Sequence, residues 1–270
     1  MTLCVAWRKN NNVCFASDSR ITFGTNSYAD VGIKVMAVPY RVYSPYDEKN
    51  NNHLSFSGEL GMCFSGSVSS SMFIKETVIE VLKNLQYAPN YTNVSIDKIA
   101  SFIFKVYKNI SKEVCSTSLH KNGIADIIIA GRCPTAKTIK AFKFATDSKN
   151  EHSCSEILKN EGDYEFSGSG AKNAIDIVSG KKPSPLDLIE SLKKTIDDEI
   201  TAPDVGGNIQ YGTFVEDSFV IYGIVEYIKD NGVKYWRGFL DLNSQEYSSS
   251  YDDFILSYRY IDPFQTFNKS

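Results

Sequence analysis

Thr2, Asp18 and Lys34 are the residues near the start of this chain whose types and spacing could do chemistry together. A threonine hydroxyl is a weak nucleophile until a base stands beside it, and the nearest base is the chain's own α-amine when the threonine comes first. Removal of Met1 would make Thr2 that first residue, because an initiator methionine is normally trimmed ahead of a small residue. The freed amine has a pKa of roughly 8, low enough to be partly neutral at cellular pH. A Lys34 ammonium beside it would lower the pKa of both amine and hydroxyl, and Asp18 would keep Lys34 charged and aimed. Nucleophile, base and orienter are then all present, and the reaction they serve is attack on an amide carbonyl. Each residue alone has a plainer reading: Thr after Met is common, and Asp18-Ser19-Arg20 is an ordinary turn sequence.

The elements around these residues must bring them together. Leu3–Trp7 reads as a strand, Lys9–Asn12 as a hairpin turn and Val13–Ala16 as the return strand. An antiparallel pair brings the chain back to its starting edge, which carries Asp18 to Thr2. Ile21–Asp30 is a polar loop, and Val31–Val38 is a strand with Lys34 on one face. Pro39–Asn52 reads as a polar surface excursion. Leu54–Phe56 and Gly61–Phe64 read as strands separated by a turn at Ser57–Leu60. Ser65-Gly66-Ser67-Val68 then leads into a helix over Met72–Leu85, with Phe73, Val78, Val81, Leu82 and Leu85 on its apolar side. Ser95 caps a second helix that keeps apolar spacing to Val114. Strands follow at Ile124–Gly131 and Thr138–Ala145, and Asp147–Gly162 reads as a loop. Tyr164–Gly170 passes through a glycine-rich turn into a helix at Ala171–Val178. Ser184 and Pro185 open an amphipathic helix that runs to Ile200. Strand-like runs at 209–214, 219–227, 233–240 and 254–260 close the chain. This order suits two sheets with helices on both outer sides.

The joint spacing adds a further expectation. Counting Thr2 as the first residue, Asp18 is the seventeenth and Lys34 the thirty-third. This pattern over Met1–Met36 resembles the active β-subunits of the proteasome and the related HslV-type threonine peptidases. The resemblance implies an α+β fold, the four-layer αββα sandwich of N-terminal nucleophile hydrolases. It implies one domain over 1–270, with an insertion around 39–53 and a C-terminal extension from about 228. Gly66 matches the position whose backbone N–H meets the developing oxyanion, and Ser169 the one whose hydroxyl touches the threonine amine. Asp204 stands two positions from the family's supporting Asp, with Val205 where a Ser would be. Ile21, Met36, Phe64 and Val68 match positions that line the side-chain pocket, where Phe64 could also block it. Peptide or unfolded-protein substrates, a homo-oligomeric ring joined through the helices at 71–86 and 95–114, and an unfoldase partner belong to the same resemblance. Two other readings stay open: a stand-alone amidase or acylase on this scaffold, and an inactive structural subunit.

Composition narrows the rest. The chain has 270 residues and a net charge of −3, with no basic stripe to engage nucleic acid. The six cysteines include no CxxC pair and lie mostly in apolar runs, which reads as free thiols in a reducing compartment. The three histidines show no metal-ligand spacing, so neither a metal nor a cofactor is expected. The Ser167–Gly170 turn could hold a phosphate, but no dinucleotide or Walker pattern accompanies it. Met1–Ala6 lacks the pattern of a signal peptide, and no apolar run reaches membrane-spanning length. A soluble, cytoplasmic protein is the expectation.

Overall fold

In a computed structural model, residues 2–23, 27–45, 53–88, 94–147, 149–180, 182–228, 232–237, 240–241, 249–251, 254–256 and 259–268 are described. The chain opens with a hairpin of β1 (Cys4–Lys9) and β2 (Asn12–Ser17). Its two loop residues, Asn10 and Asn11, have φ of 51° and 58°. Two successive left-handed residues give a turn whose twist matches that of the strands, and asparagine tolerates this conformation well. A short ribbon, β3 (Ile21–Thr22) with β4 (Tyr28–Ala29), precedes β5 (Val35–Tyr43) and β6 (Leu54–Gly66). Then come α1 (Val68–Leu82), β7 (Leu85–Gln86) and α2 (Ile96–Val114). The middle of the chain supplies β8 (Ala125–Arg132), β9 (Ile139–Thr146), β10 (His152–Ile157) and β11 (Tyr164–Ser167). Helices α3 (Ala171–Val178) and α4 (Pro185–Asp197) are followed by β12 (Gln210–Val215), β13 (Ser218–Ile228) and β14 (Gly232–Arg237). The small strands β15 (Leu240–Asp241), β16 (Ser249–Tyr251), β17 (Phe254–Leu256) and β18 (Tyr260–Ile261) lead to α5 (Pro263–Asn268).

The strands form two main sheets. One runs β11-β1-β2-β12-β13-β14-β15, with β18 parallel to β13; the other runs β10-β9-β8-β6-β5-β7. Alternate residues of one strand serve different layers. Leu3, Val5 and Trp7 face the core beneath α3 and α4, whereas Cys4 and Ala6 face the other sheet. Likewise Ile127 and Ile129 pack under α1 and α2, whereas Ile128 and Ala130 lie between the sheets. Strands buried on both faces read as continuous apolar runs rather than as alternating ones. The result is a four-layer αββα sandwich, the N-terminal nucleophile hydrolase type of α+β fold. Among the described residues, no helix is long and apolar enough to cross a membrane.

Four local expectations change. Residues 57–60 are not a turn: β6 is continuous and pairs with β5 from Val35↔Cys63 to Tyr43↔Leu54. Its glycines serve close packing instead, since a side chain at Gly61 would strike the Phe219 and Phe15 rings and one at Gly58 the Tyr40 ring. Residues 39–43 complete β5 rather than starting an excursion; of the expected insertion, 46–52 lie outside the described residues. The polar segment around 152–157 is an edge strand, β10, paired with β9. Its outward side chains carry no apolar alternation, so the strand pattern is hidden. On α1, the buried positions are Ser70, Ser71, Ile74, Val78 and Leu82, while Phe73 and Val81 are exposed. The helix starts earlier than its apolar spacing indicates because Ser67 caps it, accepting from Ser70 N at 3.3 Å.

The Gly61 contacts give a test of the inter-sheet packing. Gly61→Ala is expected to lower stability by about 1–3 kcal/mol through overpacking against Phe15 and Phe219. Urea denaturation at unchanged m-value would check it.

Candidate active site

The β1–β2 hairpin ends with Leu3 opposite Asp18, where Asp18 N donates to Leu3 O at 3.2 Å. The Asp18 carboxylate then gathers four donors. Its Oδ1 accepts Lys34 Nζ at 2.8 Å and Leu3 N at 3.0 Å. Its Oδ2 accepts Gly206 N at 3.1 Å and Arg20 N at 3.2 Å. Both Asp18 and Lys34 are fully buried. A buried ion pair costs desolvation energy that only good geometry and further hydrogen bonds offset, and this carboxylate has both.

Gln210 holds the approach to β5 in place. Its Oε1 accepts Lys34 N at 2.9 Å, and its Nε2 donates to Gly32 O at 2.6 Å and Asp18 O at 3.1 Å. Arg20 ties the turn outward: it forms a two-pronged pair with Asp30 at 2.8 and 3.2 Å, donates to Pro203 O at 3.1 Å and stacks on Tyr28. Its pKa is raised, chiefly by the hydrogen bond it donates to Asp30.

Thr2 lies at the meeting point of this turn and the Gly168–Gly170 turn. Thr2 N donates to Ser169 Oγ at 3.3 Å, and Thr2 O accepts Gly170 N at 3.4 Å. Gly168 has φ of 108°, and a side chain there would strike Thr2 O, so only glycine fits. Gly66 has φ of 88° at the end of β6, just ahead of the N-cap Ser67 of α1. A helix N-terminus favours negative charge. Thr2 is itself fully buried.

Thr2, Asp18, Lys34 and Ser169 are thus brought into one hydrogen-bonded neighbourhood. Asp204 is not part of it: the backbone of Gly206, two residues on, meets Asp18, and Gly206 O also accepts Ser19 N and Arg20 N at 3.1 Å. Val205 is buried in the core beneath the helices and abuts Gly170. Met36 and Phe64 are buried in the core under α1, with Val68 packed against it. Ile21 is elsewhere, against Gly32 beside the β3–β4 ribbon. Sequence reasoning passed over Gln210, Gly206 and Arg20. An uncharged amide inside the apolar run 209–214 was the available signal for Gln210.

Among the described residues, no group of His, Cys, Asp and Glu is arranged to hold a metal. Cys4 and Cys63 meet between the sheets, and Cys4 Sγ donates to Phe64 O at 2.6 Å. Burial holds the Cys63 thiol well above its usual range, with the Cys4 hydrogen bond adding to the shift.

The fold is that of the proteasome-like N-terminal nucleophile scaffold. Solved structures similar to it are Anbu proteins, Anbu standing for ancestral beta-subunit. Anbu from Yersinia bercovieri is 17% identical with a TM-score of 0.52, over 82% of this chain and 86% of that one. The Anbu complex from Pseudomonas aeruginosa, described as a helical assembly, is 13% identical with a TM-score of 0.57 over the same shares. An Anbu (Gly-1) mutant from Hyphomicrobium sp. strain MC1 is 12% identical with a TM-score of 0.55, over 92% of this chain and 90% of that one. At these identities the likeness is one of fold. No protein-family model matches the sequence, and no curated protein matches it. The expected membership among proteasome β-subunits and HslV-type peptidases is therefore corrected, because the neighbours are Anbu proteins, a distinct family.

The burial of the ion pair predicts an asymmetry. Lys34→Met is expected to cost about 3–5 kcal/mol, because it leaves Asp18 charged and unpaired. Asp18→Asn combined with Lys34→Met should cost clearly less than the sum of the single changes, as read from chemical denaturation curves.

Proposed function

We propose that this protein is an amide hydrolase that cuts peptide bonds with Thr2, once the chain is cut ahead of that residue. The observation that carries this reading is the convergence of Leu3 N and Lys34 Nζ on one Asp18 oxygen, at 3.0 and 2.8 Å. It ties a buried ammonium to the residue next to the nucleophile. Thr2 Oγ attacks the amide carbon, and the α-amine takes the hydroxyl proton. Gly66 N–H donates to the oxyanion. The C–N bond breaks as the amine passes its proton to the leaving nitrogen, leaving an ester on Thr2. Water then hydrolyses the ester with the same amine as base. Ser169 Oγ, 3.3 Å from Thr2 N, orients the amine.

Met36 and Val68 would give the substrate side chain an apolar wall, and Phe64, packed under α1, limits the room. The whole chain, 1–270, acts as one domain with a C-terminal extension. That extension continues the first sheet through β14 and β15. Self-association fits the reading, given the helical assembly of the Pseudomonas aeruginosa neighbour, and a soluble cytoplasmic setting fits it too. A second reading, a non-catalytic subunit, is favoured by the 0% exposure of Thr2.

Intact mass spectrometry after treatment with a peptide epoxyketone or β-lactone separates the two. One adduct is expected, on a chain beginning at Thr2; it should vanish in Thr2→Ala and persist in Thr2→Ser. An unlabelled chain that keeps residues ahead of Thr2 would favour the non-catalytic subunit.

A further inference from the structure

Ser65, Ser167 and Asp126 meet where the two sheets close on the candidate site, and the reaction described above gives none of them a role. Ser167 Oγ donates to Asp126 Oδ2 at 2.9 Å. Its single proton is thereby used, so the 2.8 Å contact between Ser65 Oγ and Ser167 Oγ has Ser65 as donor. The string is therefore directional: hydroxyl to hydroxyl to carboxylate. Ser65 and Ser167 are buried, at 2% and 3% exposure. Asp126 reaches the surface, where Lys143 Nζ stands 3.8 Å away and bonds Glu165 at 2.7 Å.

The placement of the string matters more than its strength. Ser65 and Asp126 are register partners on β6 and β8 of one sheet, whereas Ser167 is paired with Cys4 on the other. Ser65 immediately precedes Gly66, and Ser167 immediately precedes Gly168-Ser169. A side chain at Gly168 would come within 3.1 Å of Ser65 Cβ, so the two turns nearly touch. This string is a polar side-chain tie between the two turns.

We infer that Ser65, Ser167 and Asp126 form a positioning device that sets the separation between Gly66 N–H on one sheet and Ser169 on the other. It makes the oxyanion donor and the amine-orienting hydroxyl serve one substrate carbonyl at the same time. The roles of Gly66 and Ser169 rest on the function proposed above; the spacing itself does not.

The test uses the full chain and two independent readouts. In Ser167→Ala, kcat on a peptide substrate should fall about 10- to 100-fold, the scale of a small misplacement of reacting groups, with KM within about twofold of wild type. Ser65→Ala with Ser167→Ala together should be no worse than either alone, because both cut one string. Asp126→Asn keeps an acceptor oxygen and should restore most of the rate lost in Asp126→Ala. Amide hydrogen exchange at Gly66 and Ser169, followed by NMR, should quicken in Ser167→Ala while the melting temperature holds. Unchanged exchange at both amides, or additive losses in the double variant, would overturn the inference. A wild-type chain that takes no adduct at Thr2 would sink the hydrolase reading instead, and exchange at Gly66 and Ser169 would still decide the positioning role.

Discussion

One carboxylate organises this molecule. Asp18 accepts from Leu3, Arg20, Lys34 and Gly206, which lie just ahead of β1, in the turn after β2, on the approach to β5 and in the loop ahead of β12. Pairs of this kind add little net stability, since desolvation offsets most of their attraction. What they add is uniqueness. A slip of one residue in any of these segments would strand a charge or an N–H away from water, at a cost of several kcal/mol. The fold is free to vary at its edges and fixed here.

The two sheets are held apart by unequal means along their length. Far from the site, aromatic rings wedge between them: Phe219 packs on Phe15 and Phe214, over the bare backbone of Gly61 and Gly212. Toward the site the filling is smaller, with Cys4 against Cys63 and then Ser65 against Ser167. The gap therefore passes from apolar to polar along its length. The polar end is where Thr2 lies, with Ser17 Oγ bridging Leu3 O and Asp18 O at 3.1 Å.

Much of this was legible in the residues themselves. The asparagine turn at 10–11 fixes the hairpin, and the hairpin fixes Asp18 beside Thr2. Ser95 and the Ser184-Pro185 pair announce α2 and α4, and each helix buries the stripe its period shows. What was not legible has common physical causes. Gly58 and Gly61 look like punctuation, yet they are places where a ring lies on the backbone, a fact set by Tyr40, Phe15 and Phe219 far along the chain. The β10 edge strand is stabilised by its ladder to β9, not by apolar burial, so its sequence reads as a loop. Asp204 drew notice as an acid near a Gly-Gly pair, but the group that reaches Asp18 is a main-chain N–H, which no residue type reveals. The spacing of Thr2, Asp18 and Lys34 pointed to the right fold and to a family other than that of the structural neighbours.

The hydrogen bond from Gly206 to Asp18 spans 188 positions, and that from Gln210 to Asp18 spans 192. Both partners are synthesised long after the hairpin they complete. A nascent chain emerging from the ribosome therefore carries Thr2 and Lys34 for most of its synthesis with the surrounding polar groups unmet. The corner around Thr2 is therefore completed only late in translation, after Gly206 and Gln210 have been made.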